Sequence, residues 1–137
     1  MVYPTQIDCT WLATDADGRL AAMITAGEGP IPAAVLKSGI DVVGIEERLL
    51  NLPVVGDATA VAAVPNPSSF IDLSRRGFFV YDWTDGHRSR AQALGTYELV
   101  ASPSVFIKPE DLPADLREFP SIGMIVGAIG AAHLKVE

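Results

Sequence analysis

The chain has 137 residues, 49% hydrophobic and 20% charged, which suits one ordinary hydrophobic core and excludes a disordered chain. Seventeen acids against ten bases leave a net charge of −7. Nucleic acid is an improbable partner for such a chain, because counterion release needs clustered Lys and Arg, and only Arg75/Arg76 and Arg88/Arg90 come close.

Cys9 is the one cysteine, so there is neither a disulfide framework nor a cysteine-based zinc site. It reads as a small residue facing the core. Met1–Thr10 lacks a basic region followed by an apolar one. The most apolar run, Ile122–Leu134, is about thirteen residues, short of the roughly twenty that span a bilayer. The expectation is a cytoplasmic protein without membrane contact. The scattered prolines and glycines punctuate short elements and mark no linker or repeat.

In chain order, Asp8–Asp15 followed by Gly18–Thr25 reads as a β-hairpin. Trp11, Ala13 and Asp15 alternate with Thr10, Leu12 and Thr14, and Leu20–Ile24 continues the apolar character. The intervening "DADG" supplies turn chemistry, with Gly18 suited to positive φ. A calcium loop with its glycine at Gly18 would need ligands at Ala13 and Ile24, and neither can ligate. "AGEGPIP", residues 26–32, is a rigid connector without the basic residue of a phosphate loop.

Ser38-Gly-Ile-Asp41 then offers a capping box. Behind it Val42, Ile45, Leu49 and Leu52 recur at helical spacing, up to Pro53. Ala58–Val64 reads as a short buried strand, with its alanines leaving a helix open. Asn66-Pro67 opens a second helix that Gly77 ends, with Arg75 and Arg76 in its last turn, where cations suit the helix dipole.

Phe78–Trp83 is the strongest strand. Phe78 and Val80 share a face with Asp82, while Phe79, Tyr81 and Trp83 share the other. Thr84 or Asp85 caps a short helix through Leu94, stopped by Gly95. Tyr97–Ala101 and Val105–Ile107 read as two strand pieces around Pro103. "KPEDLPADLREF" is a proline-started short helix, and Ile122–Ala132 a buried strand or helix. Gly123-x-x-x-Gly127 allows close backbone approach within the core. The irregular order of strands and helices points to a single α+β domain, with a mainly antiparallel sheet and three to four short helices.

The candidate site is the end of the Phe78–Trp83 strand. Asp82, Asp85 and His87 supply a carboxylate, a second carboxylate and an imidazole, the minimum for general-base or metal chemistry. No His-x-x-x-His or Glu-x-x-His spacing accompanies them, so no metal or cofactor is expected. The competing reading makes Asp85 a helix cap, and His87 and Arg88 an exposed first turn. Asp82 on a buried face needs a partner, which Arg88 or Arg90 supplies one helical turn away. Nucleophile signatures are absent: Ser68 and Ser69 lie at a helix start, not in a Gly-x-Ser-x-Gly elbow.

The stretches "CTWLATDADGRLAAMITAGEGPIP" (residues 9–32) and "FVYDWTDGHRSRAQALGTYELVASP" (79–103) together resemble a family of small uncharacterised bacterial proteins, some of them immunity-like components found beside toxins. The resemblance implies a binding role and brings no catalytic residues with it. The expected function is therefore a non-enzymatic protein-binding module, immunity-like and directed at a basic partner. Its binding surface is expected at Trp83, Asp82, Asp85, His87 and Arg88, with homo-oligomerisation left open. The alternative is a small hydrolase or metal-dependent enzyme using Asp82, Asp85 and His87.

Overall fold

A computed structural model of the protein describes residues 8–27, 29–61, 67–83, 96–123, 125 and 127–136. The expected hairpin is present: β1 (Thr10–Thr14) pairs antiparallel with β2 (Leu20–Ile24), from Thr10 opposite Ile24 to Thr14 opposite Leu20. Gly18 turns it at φ +81°. The Asp15 carboxylate fixes the turn by accepting from the Asp17 and Arg19 N–H groups at 3.0 and 3.1 Å. Every residue of both strands is buried, as in strands covered on both faces.

The chain leaves β2 through α1 (Ala33–Lys37), α2 (Ile45–Leu50), β3 (Ala58–Ala60) and α3 (Ser68–Ser74) before returning as β4 (Phe79–Asp82). So long a crossover lets β4 lie parallel to β2, with Ala21 opposite Phe79 and Ile24 opposite Asp82. The α+β class therefore stands, but the expected mainly antiparallel sheet is a mixed one. Its order is β1-β2-β4-β5-β3, where β5 is Thr96–Pro103, and β6 (His133–Lys135) pairs β5 as well. The β4–β5 register slips between Val80 and Tyr81, the mark of a bulge.

Several local readings shift. Ser38 closes α1 instead of opening α2: its hydroxyl donates to the Val35 carbonyl at 2.6 Å and accepts from the Ile40 N–H. Asp41 starts the next turn, its carboxylate accepting from the Gly44 N–H at 3.1 Å. Ile45 and Leu49 are buried as their spacing predicts. Asn66 lies outside the described residues, while α3 begins one residue after Pro67. Arg76 does more than complement a dipole, since Nε donates to the Leu52 carbonyl and Nη1 to the Asp72 carbonyl, tying the exit of α2 to α3.

β3 is a strand, but it lies largely exposed at the sheet edge rather than buried. Pro103 ends one continuous β5 and does not divide two pieces, and Val105–Ile107 is not a strand. Pro103 sits opposite Ala58 at a non-bonded position of the ladder, where a missing N–H costs nothing. The segment after Lys108 forms a 3-10 turn at Pro109–Asp111, then α4 (Phe119–Ile122).

Beyond Ile122, which ends α4, the described residues of Ile122–Ala132 form neither the strand nor the helix expected of them. Ile125 and Ile129 are buried in an irregular stretch whose backbone finds partners elsewhere. Ile125 N–H donates to the Thr14 carbonyl at 3.0 Å, and Ile129 N–H to the Asp15 carboxylate at 2.8 Å. A buried segment whose polar groups are satisfied in this way needs no regular structure.

Candidate functional site

Of the five residues expected at the site, the structure describes Asp82 and Trp83; Asp85, His87 and Arg88 lie outside the described residues, as do Arg90 and the helix expected through Leu94. Asp82 is half-buried at the end of β4, opposite Ile24 of β2 and Glu98 of β5. Trp83 continues the strand, its N–H donating to the Ile24 carbonyl at 2.9 Å.

The Trp83 ring stands edge-on to Tyr97, centroids 5.2 Å apart, and Tyr97 meets Trp11 in the same manner at 6.1 Å. The Tyr97 hydroxyl accepts from Trp11 Nε1 and donates to the Pro30 carbonyl at 2.9 Å. Half-buried Trp83 is thus one member of an aromatic cluster that joins β1, β4, β5 and the 26–32 connector. That connector also packs closely, because a side chain at Gly29 would collide with Tyr97 and Trp83.

Cys9 is buried, and burial first, then the charge of Asp8, push its thiol above the ordinary value. A protonated, enclosed thiol suits the core reading. Among the described residues no three His, Cys, Asp or Glu side chains are grouped to hold a metal ion. No helix among them is long and apolar enough to cross a membrane.

The clefts on the described surface include the following pair. One, of about 410 Å³, lies where the exit of α2 meets the segment after β5, between Leu52, Pro53 and Val55 on one side and Val105 and Phe106 on the other. The second, of about 310 Å³, lies between α2 and the turn leading into α4. The buried Ile40, Ile45 and Leu116 form its floor, half-buried Phe119 stands at its side, and Asp41 and Asp115 contribute carboxylates. Arg48 lies at the same cleft and contacts Asp115 at 2.6 Å.

Carboxylates and one guanidinium share this second cleft and its surroundings. Burial first, and then Asp8, hold the Glu46 carboxyl above its usual range, and Asp41 is among the charges that raise the Cys9 thiol. The Arg48 contact in turn lowers the Asp115 pKa. Both members of that pair are more than half exposed, so the contact contributes little to stability and is readily exchanged. Chemically, the cleft offers carboxylates for a cationic head, with Phe119 beside them for its methylene stem. Sequence reading took Asp41 for the acid of a capping box and missed Asp115. Nothing local announces a pairing between positions 48 and 115.

Compared with protein families, curated proteins and solved structures, the chain matches none of them.

Proposed function

We propose that the protein is a non-enzymatic binding module that engages a basic protein partner at the cleft between α2 and α4. The observation that carries this reading is the combination in one cleft of Asp41 and Asp115 with the half-buried ring of Phe119. A net charge of −7 supports it, since an acidic field raises the encounter rate of a basic partner. Arg48 already occupies Asp115 in the manner of a partner's guanidinium, and its exposed contact is weak enough to be displaced. In this reading a Lys or Arg of the partner replaces Arg48 and lays its stem beside Phe119.

The test starts with a partner captured from the native host and identified. Its association with the purified protein is then followed at several salt concentrations. Asp115→Lys is expected to slow association about tenfold, the scale on which rim charges act, while leaving the denaturation midpoint near that of the parent, since its exposed pair contributes little to stability. A partner indifferent to both the salt and the charge reversal overturns the choice of cleft. Turnover of a small molecule by the purified chain overturns the binding role itself.

A further inference from the structure

We infer that β3 is a self-association edge, along which two copies of the chain pair β3 to β3 in antiparallel fashion. This rests on backbone geometry at the opposite end of the sheet order from β1 and is independent of the acidic cleft.

The ladder between β3 and β5 fixes which way each backbone group of β3 points. Ser104 N–H donates to the Asp57 carbonyl at 2.9 Å, and Val61 N–H to the Val100 carbonyl at 3.0 Å. In an antiparallel pair, bonded and non-bonded positions alternate. Asp57, Thr59 and Val61 therefore face β5, and the N–H and C=O of Ala58 and Ala60 point away from it. Among the described residues no strand pairs with β3 on that side, and no hydrogen bond reaches those groups. Thr59 and Ala60 are exposed.

The other margins of the sheet are managed. Beside β1, Thr10 N–H donates to the Val42 carbonyl and the Thr14 carbonyl accepts from Ile125 N–H. β6 carries His133 and Lys135, polar side chains of the kind that discourage edge pairing. β3, with the sequence Ala-Thr-Ala, carries no charged side chain or proline within the strand, and only its three-residue length limits edge pairing.

What fits this edge is a copy of itself. Antiparallel pairing centred on Thr59 sets Ala58 against Ala60 of the second copy, and Ala60 against its Ala58. All four bonds of two adjacent bonded pairs then form. The small side chains admit close approach, and Asp57 falls opposite Val61, so no two carboxylates face each other across the ladder. Apolar surface lies beside it: among the described residues, Val54, Val55, Val61 and Val105 are exposed large hydrophobic side chains. All four belong to the segments that contain or flank the β3–β5 pair. Residues 57–61 with Val54, Val55 and Val105 contribute from each copy, well below the roughly 20–30 of a standard interface, so the dimer is a weak one.

Sedimentation from ~1 µM to ~1 mM is expected to show a monomer–dimer equilibrium with a micromolar Kd. Ala60→Pro removes an outward N–H while sparing the bonds of Thr59 and Val61 to β5, and is expected to weaken the dimer at least about tenfold. A second measurement keeps the test decisive should that variant fold poorly. Amide exchange in the parent protein should slow at Ala58 and Ala60 as concentration rises, with Thr59 and Val61 little changed. A chain that stays monomeric at ~1 mM overturns the inference, as does a dimer that leaves the Ala58 and Ala60 amides unprotected.

Discussion

Asp15 and Tyr81 hold the same stretch of chain at neighbouring points. Asp15, 3% exposed, accepts from Ile129 N–H, while Arg19 Nη1 donates to the Ile129 carbonyl. Tyr81 accepts from Gly130 N–H at 2.9 Å and donates to the Ala131 carbonyl at 2.6 Å. Burial pushes the Tyr81 phenol up to about 12; the Gly130 N–H opposes the rise and the charge of Asp15 adds to it. The folded pKa thus lies above the ordinary 10.0, so folding favours the protonated phenol. Its contribution is complete below pH 10 and is lost as the pH rises toward 12. Tyr81→Phe is expected to cost about 1–3 kcal/mol at pH 7, because Gly130 N–H loses its acceptor and Ala131 its donor. The same variant should lose less further stability than the parent between pH 10 and 12. Denaturant midpoints at the three pH values check this, and an alkaline fall as steep as the parent's would refute the assignment.

At the scale of elements, what was legible followed from what was local. The hairpin lay open because its turn is built by Asp15, Asp17 and Gly18 within the hairpin itself. β4 was legible from its run of aromatic and β-branched residues. The stretch after Ile122 was not, because its fixed points are Thr14, Asp15 and Tyr81, far away in the chain. Apolar composition there signalled burial without revealing the irregular path. β3 was legible as a strand but not in its burial: its apolar run suggested an interior, yet the edge position was set by what pairs with β5. The spacing of Gly123 and Gly127 was half informative. Gly123 is buried where α4 packs on β1, and a methyl group there would overlap the Leu12 carbonyl oxygen and press on the Trp11 ring. Gly127 is exposed. Gly123→Ala should therefore lift α4 from β1 at a cost of about 3 kcal/mol, the upper end for overpacking. An unchanged thermal midpoint would show that the contact relaxes without loss.

For the whole molecule, charge was the most informative property of the sequence, and its placement the least. Composition gave the acidic balance, but only the fold brings Asp115 to Arg48 and both to Asp41 beside Ile45 and Phe119. The same net charge acts in opposite directions on the two associations argued above. Two copies that each carry −7 repel at long range, whereas a basic partner is attracted. At ~0.01 M salt the Debye length is about 30 Å, and at ~1 M about 3 Å. Raising the salt across that range should tighten β3-mediated self-association, because the backbone bonds that hold it are short-ranged while the opposing repulsion is screened. It should weaken capture of the basic partner over the same range. Sedimentation and partner-binding titrations on one preparation, across one salt series, measure both trends together. Two trends of the same sign would mean that one surface serves both associations, and the assignment of separate sites to the α2 cleft and β3 would fail.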